Sequence, residues 1–181
     1  MITLHQKETI NIKYKIIMKR ILTSIIELAC CIISCFAQNE ANTPPQLTYA
    51  FEIQAVCEAA FTVGDTPKGK RVVIPIVGGK VVGEKINGTV ISGGADYQLV
   101  DEKHNRTELE AIYCVRTDDG VSIHVRNRGI LTDNNGKFYF RCTPVFEAPY
   151  DSPYAWLNDA VFVCVPGFGD GYISLKMYKV E

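Results

Sequence analysis

The sequence has few of the residues from which metal and cofactor sites are built. Its 181 residues include three histidines and one tryptophan, and no two cysteines after residue 37 have the Cys-x-x-Cys spacing of zinc and redox sites. No Gly-x-Ser-x-Gly string marks a nucleophile elbow. A formal net charge of -1 gives no strong attraction to nucleic acid. We therefore predict no metal, no cofactor and no nucleic-acid partner.

After residue 46 the sequence also shows no sustained helical periodicity, whereas turn signals recur every eight to twelve residues. Strands joined by such short connections pair in antiparallel fashion, and closing the sheet removes its exposed edges. The pattern predicts an all-β fold, a single small antiparallel meander barrel of about eight to ten strands. The predicted strands cover residues 48–57, 71–77, 80–82, 86–92, 95–100, 107–117, 121–127, 137–146, 160–165 and 172–180.

Two glycine pairs, Gly78-Gly79 and Gly93-Gly94, are interpreted as turns between these strands. Residues 64–71 resemble a phosphate-binding loop, but Pro67 removes a backbone donor and Arg71 stands where a Ser or Thr is required. They are interpreted as a basic hairpin loop. Residues 150–159 contain proline and aromatic side chains, which favours a packed loop or one helical turn.

The amino terminus is predicted to be a targeting segment. A cationic start at Met18-Lys19-Arg20 precedes an apolar run at residues 21–36 that contains Glu27. This run is short for a spanning helix, so a signal peptide is favoured and no spanning segment remains after its removal. The domains predicted are an upstream extension (1–17), a secretory signal peptide (18–37), a polar linker (38–46) and the barrel (47–181).

The expected location is therefore outside the cytoplasm, periplasmic or secreted. Two processing routes stay open, because residues 35–37 fit signal peptidase and residues 32–35 resemble a lipobox that would acylate Cys35. Four cysteines follow the signal: Cys57, Cys114, Cys142 and Cys164. All four lie in apolar strand-like runs, which favours buried thiols over disulfides.

Polar side chains alternate along several predicted strands. Asp96 and Gln98 share one face of their strand, as do Glu108 and Glu110 on the next, and Arg141 shares a face with Thr143. His124 and Arg126 likewise share a face. On the exterior these residues would form ion pairs of little energetic value, and inside a barrel mouth they would form a polar pocket. Alternation alone does not distinguish inside from outside.

Six strings in a fixed order resemble the bacterial and fungal family called domain of unknown function 3237, also uncharacterised protein family UPF 0311. They include Gly-Asp-Thr-Pro-Lys-Gly-Lys-Arg at residues 64–71, Val-Arg-Asn-Arg-Gly at 125–129 and Tyr-Ala-Trp-Leu-Asn at 154–158, with residues 74–79, 93–99 and 117–120 between them. The resemblance covers nearly all of residues 47–180 and implies a small antiparallel barrel. It implies no settled activity.

The resemblance does indicate polar positions of interest. They fall on Arg71, Asp96, Gln98, Tyr113, Arg126, Asn127, Arg141, Trp156 and Asn158. This chain departs from the family pattern at Glu110, at Ile112 and at His124. These departures would alter any carboxylate-based chemistry at these positions.

Three hypotheses follow. In the first, the barrel mouth binds a small polar or amphipathic ligand, oriented by Asp96, Gln98, Glu110, Arg126 and Arg141 between apolar walls at Tyr113 and Trp156. In the second, the protein is an acid–base enzyme (isomerase, lyase or hydrolase) with Asp96 or Glu110 as base, His124 as acid and an arginine stabilising an anionic intermediate. In the third it is a structural or interaction module without a pocket. The oligomeric state is left open.

Overall fold

The computed structural model describes residues 18–20, 44–134 and 136–181, and residues 45–181 form one compact unit. Short 3-10 turns lie at Glu102–His104 and Ala155–Leu157. The strands are β1 (Leu47–Cys57), β2 (Phe61–Thr66), β3 (Gly69–Gly83), β4 (Gly88–Asp101), β5 (Arg106–Thr117), β6 (Ser122–Asn134), β7 (Lys137–Glu147), β8 (Phe162–Phe168) and β9 (Ile173–Val180).

The strands form a closed antiparallel barrel with one strand added to it. The sheet runs in the order β1-β9-β8-β7-β6-β5-β4-β3, and β1 also pairs with β3, which closes an eight-stranded ring. The added strand β2 continues from β1 and pairs with the first residues of β3. From β3 to β9 each strand pairs with the next along the chain, so the predicted meander barrel is confirmed.

The two predicted glycine turns are wrong. Gly78-Gly79 lies within the continuous strand β3, and Gly93-Gly94 lies within β4. At both places the pairing register shifts, between Ile76 and Lys80 in β3 and between Ile91 and Ala95 in β4, so each glycine pair forms a bulge. Glycine is required because Gly79 has a φ of +135° and a Cβ there would lie 2.0 Å from the carbonyl oxygen of Gln54.

The structure also tests the predictions for residues 64–71 and 150–159. The basic segment at residues 64–71, predicted to be a hairpin loop, contains the end of β2 and the start of β3 with a tight turn between them. The strand β2 was missed because its residues do not alternate clearly. The segment at residues 150–159 contains one short 3-10 turn, in agreement with the prediction.

A cluster of three phenylalanines fills one end of the barrel interior, which we call the closed end. Phe51, Phe146 and Phe162 meet there with ring centroids 5.6 and 5.1 Å from the Phe146 ring. The segment between β7 and β8 covers this end, with Leu157 in the core and the Tyr154 hydroxyl donating to Asp119 at 2.9 Å. A packed cover on one end leaves the other end to form any ligand-binding mouth.

The four cysteines of the barrel are free thiols in the structure. Cys142 and Cys164 are buried, whereas Cys57 and Cys114 are only half-buried. Cys142 of β7 lies directly opposite Cys164 of β8 in the strand pairing. The structure therefore agrees with the prediction of free thiols, but the predicted burial holds only for Cys142 and Cys164.

Most of the amino-terminal predictions fall on residues that the structure does not describe. The upstream extension, the signal peptide, the linker and the candidate lipid anchor at Cys35 lie outside the described residues, apart from residues 18–20 and 44–46. Within the described ranges no helix combines the length and apolar character needed to cross a bilayer.

The β4 bulge generates a stability prediction. A Cβ on Gly94 would lie 2.4 Å from the Tyr113 Cβ and 2.6 Å from the Ile112 carbonyl oxygen. We expect Gly94→Ala to lower the free energy of unfolding by roughly 1–3 kcal/mol, the range for overpacking. Gly78→Ala is the matched control, because nothing lies within 4 Å of its added methyl group. Urea unfolding checks this, and equal stability of the two variants would contradict it.

Candidate functional site

Cross-strand register decides which predicted site residues face the interior. Asp96 lies opposite Ala111, and Ala111 lies opposite Asn127, so the three side chains project from the same face of the sheet. On the same face, two residues from Ala111 and Asn127, lie Tyr113 and Val125, both buried in the core. Asp96, Tyr113 and Asn127 therefore point into the barrel.

These residues belong to the end of the interior opposite the closed end, which we call the mouth. Several inward-facing side chains at this end are only half-buried, although Phe140 and Cys142 of β7 and Cys164 of β8 are buried there as well. The mouth is lined by Val72, Ile74, Asp96, Gln98, Leu109 and Ala111, with Tyr113 and Asn127 at its floor. Apolar walls with a few polar groups are the usual composition of a small-molecule site.

Asp96 is the charged group of the mouth. Its Oδ2 accepts a hydrogen bond from Gln98 Nε2 at 2.8 Å, and its Oδ1 accepts one from the Glu110 backbone N–H at 3.1 Å. Burial raises the pKa of Asp96 above its ordinary value of 3.8, and these two hydrogen bonds oppose the rise only in part. A carboxyl held in this state is suited to receive a proton.

The floor of the mouth contains polar atoms that the protein itself does not use. Among the described residues, the Tyr113 hydroxyl and the Asn127 Oδ1 are buried and have no hydrogen-bond partner. Burial raises the pKa of Tyr113, so its hydroxyl stays protonated and able to donate. The pKa of the neighbouring Cys164 thiol is raised by its hydrogen bond with Cys142 and then by burial. Buried polar groups without partners are uncommon in folded proteins.

The outer face of the barrel carries the other predicted charged residues. Arg141 lies between Phe140 and Cys142, which are both in the core, so its own side chain points outward. Glu110 Oε1 accepts hydrogen bonds from Arg126 Nε at 2.9 Å and Arg128 Nε at 2.8 Å on the same outer face. These hydrogen bonds, first that of Arg128, lower the pKa of Glu110. The two arginines are 49% and 63% exposed, so the ion pairs add little stability.

The structure therefore does not bring the predicted site together as one pocket. Glu110, Arg126 and Arg141 are separated from Asp96 and Gln98 by the thickness of the sheet. His124 is also on the outer face, where its Nδ1 lies 3.5 Å from Glu147 Oε1. It cannot serve as an acid for Asp96, because the two side chains are on opposite faces.

Trp156 and Asn158 lie at the closed end, not at the mouth. The Trp156 ring packs 5.9 Å from that of Phe162. The Asn158 side chain accepts from the Ala148 N–H at 2.8 Å and donates to the Ala148 carbonyl at 2.9 Å. Their positions are explained by holding the covering segment in place, so Trp156 does not form the predicted wall beside Asp96.

A groove of about 900 Å³ crosses the outer face over β3 to β8. We call it the outer groove. Three predicted residues (Arg71, Glu110 and Arg141) line it. Sequence analysis placed Glu108 on the same face as Glu110 but did not assign the rest of the charged and aromatic lining to a site, because only the strand register shows that these side chains are neighbours. They are Lys68, Tyr97, Arg106, Glu108, Arg128 and Tyr139.

No group of three or more His, Cys, Asp or Glu side chains in the described part of the chain has the geometry to hold a metal ion. The three thiols near the Tyr113 hydroxyl, those of Cys57, Cys142 and Cys164, therefore do not amount to a metal site. Within the mouth Tyr113 can donate a hydrogen bond, and Asp96 can accept a hydrogen bond or a proton.

Comparison with known sequences gives a family match over the whole barrel. Residues 45–180 match the family model described as protein of unknown function (DUF3237). A UPF0311 protein of Clostridium acetobutylicum is 36% identical over 146 residues, which cover 72% of this chain and 91% of that protein. A UPF0311 protein of Rhodopseudomonas palustris is 35% identical over 129 residues, covering 64% and 83% of the two chains.

Solved structures show the same fold. The crystal structure of a protein of unknown function from Clostridium acetobutylicum has a TM-score of 0.69 at 34% identity and covers 75% of this chain and 99% of its own. A β-barrel-like protein of Acinetobacter baumannii has a TM-score of 0.71 at 27% identity, with 77% and 98% coverage. An enzyme from Penicillium herquei, at 22% identity, a TM-score of 0.63 and 77% and 96% coverage, shares the fold alone.

The raised pKa of Asp96 generates a prediction on stability. The pKa of Asp96 is higher in the native state than in the unfolded chain, so protonation of Asp96 stabilises the fold. This stabilisation is complete below the unfolded pKa, which is ordinarily 3.8. This contribution is lost as the pH rises through the native pKa. We expect Asp96→Asn to gain stability relative to the unchanged chain as the pH rises above 3.8 and through the native pKa. Urea unfolding across this range checks it, with the exposed Asp151→Asn as control; a gain that is the same at every pH would contradict it.

Proposed function

Because the chain belongs to the DUF3237 family, which supplies a barrel and no assigned activity, we propose that the barrel binds a small neutral polar ligand in its mouth. The observation that carries the proposal is a partly accessible carboxyl, Asp96, above two buried polar atoms that have no partner among the described residues. A protein core without a ligand-binding role gains nothing from such a group, because unsatisfied buried polar atoms cost stability.

The lining supports a neutral ligand over an anionic one. Asp96 is acidic, and no Lys or Arg projects from the rows of the mouth that contain Asp96 and Gln98. The Tyr113 hydroxyl offers a donor for a carbonyl or hydroxyl oxygen, and the Asn127 Oδ1 offers an acceptor for an N–H or O–H group. Val72, Ile74 and Leu109 provide apolar contacts for the rest of the molecule. A small cyclic amide or hydroxyketone has this combination of groups.

The alternative proposal is an acid–base enzyme at the same place. The observation in its favour is the raised pKa of Asp96, which brings a carboxyl nearer the range useful for a general base. Tyr113 then takes the part of hydrogen-bond donor to the oxygen that gains negative charge. Glu110, His124 and the arginines take no part, because they lie on the outer face. A structural module without a ligand remains the third candidate.

The ligand proposal predicts binding of 2-pyrrolidinone, which carries an N–H, a carbonyl and an apolar ring. Titration followed by amide NMR is expected to shift mouth residues in a saturable way. Tyr113→Phe is expected to weaken binding by up to about tenfold, the equivalent of one hydrogen bond. Tyr97→Phe, the same change on the outer face, is the matched control. Shifts confined to the outer face, or no difference between the two variants, would count against the mouth.

Exchange of the α-protons of cyclohexanone for deuterium, followed by NMR, distinguishes the enzyme alternative from ligand binding alone. If Asp96 acts as a base, the unchanged chain accelerates this exchange and Asp96→Asn does not, while 2-pyrrolidinone still binds to the variant. Binding without acceleration leaves the protein as a ligand-binding barrel.

We further propose export, on the sequence of residues 18–37 alone. Cleavage of the signal peptide predicts that the mature protein begins after Ala37, whereas lipid modification predicts that it begins at Cys35 with added acyl mass. Intact-mass measurement of the protein from its native host separates the two. Recovery of a chain that still contains residues 18–34 would overturn both.

A further inference from the structure

One row of side chains on the outer groove is independent of the mouth and of the function proposed for it. Its members lie directly opposite one another on five successive strands and all line the groove: Arg71, Leu99, Glu108, Ile130 and Arg141. Residues directly opposite in an antiparallel sheet have neighbouring side chains. The row therefore places a cation at each end of a continuous surface of apolar and acidic groups.

The outer groove is positively charged in a chain whose formal net charge is -1. Five Lys or Arg side chains line it, against the two carboxylates of Glu108 and Glu110. Each carboxylate is already in an ion pair, Glu108 with Arg106 at 2.6 Å and Glu110 with Arg128 at 2.8 Å. Within the described part of the chain neither Arg71 nor Arg141 pairs with a carboxylate. An uncompensated arginine in a groove favours an anionic ligand.

Two contacts restrict the Arg141 side chain without using all of its hydrogen-bond donors. Its Nη1 donates to the Phe140 carbonyl at 2.6 Å, and its Cζ lies 5.6 Å from the centroid of the Tyr139 ring. A guanidinium has five N–H donors, so several remain for a ligand. Because the cation–π contact and the backbone hydrogen bond already restrict the side chain, binding an anion there requires little further ordering.

Apolar surface lies beside this cation. Ile130 is opposite Arg141 and 39% exposed, and the Tyr139 ring is 51% exposed. Val163 of β8 completes the lining at this side of the groove. An arginine next to exposed aromatic and aliphatic side chains matches a ligand that has an anionic group attached to an apolar ring.

We infer that the outer groove is a binding site for a small aromatic anion, a carboxylate or a phosphate monoester. The anionic group lies against Arg141, and the ring packs on Ile130, Tyr139 and Val163. The groove volume of about 900 Å³ is within the range of small-molecule sites. Asp96, Tyr113 and Asn127 do not line the groove, so it is distinct from the polar part of the mouth, although Leu109 lines both.

The experiment is isothermal titration of the full chain with phenyl phosphate. Inorganic phosphate supplies the charge without the ring, and benzyl alcohol supplies the ring without the charge. Phenyl phosphate is expected to bind more tightly than either, and its affinity is expected to fall as salt is added. Equal affinity for benzyl alcohol, or no saturable binding of phenyl phosphate, would overturn the inference.

Variants locate the site. Arg141→Gln is expected to weaken phenyl phosphate binding by about tenfold or more, because it removes a hydrogen bond between two charged groups. Arg116→Gln is the matched control, since Arg116 is exposed on the outer face of β5 and does not line the groove. Asp96→Asn and Tyr113→Phe should leave this affinity unchanged, so failure of the mouth proposal is distinguishable from failure here. Equal losses in the Arg141 and Arg116 variants would reduce the result to nonspecific charge attraction and overturn the site.

Discussion

The alternation of side chains between two faces of a closed sheet determines which residues can act together in this barrel. In a strand the faces alternate at every residue, so one inserted residue reverses the assignment of all that follow. The bulge at Gly78-Gly79 does this in β3. Val81 and Ile76 lie on either side of the bulge, and both side chains face the core. They are five positions apart, whereas in a regular strand residues an odd number of positions apart face opposite sides. Arg71 consequently lies on the outer face.

The barrel itself could be predicted from the sequence, because it depends on a local pattern. Turn signals and short connections between apolar strand-like runs are sufficient to predict antiparallel neighbours and closure. The interruptions within strands could not be recognised in the same way. A glycine pair has the same composition in a turn as in a bulge, and the difference is made by Gln54 and Tyr113 on neighbouring strands, whose backbone and Cβ approach too closely for any larger residue.

The sequence analysis placed some candidate residues correctly on their own strands, but its prediction that all of them line one pocket was wrong. Asp96 and Gln98 were correctly placed on one face of their strand. Arg141 was expected to join them, but the strands that separate β4 from β7 carry it to the opposite side of the sheet. Whether residues of β4 and β7 face the same side depends on the register across several strands, and the spacing within any one strand does not determine it. The family pattern shares this limit, because it gives a set of positions without saying which of them face one another.

Pairing of β1 with β9 has a consequence for how the chain acquires its structure. Leu47 lies opposite Val180, so the first and last strands of the barrel meet across the whole length of the domain. Contacts of such large sequence separation form slowly, because a long loop must close before they contribute. On a ribosome the barrel stays open until β9 has emerged, and β1 and β8 present unpaired edges during that interval. Protection of these edges during synthesis is therefore a requirement of the topology.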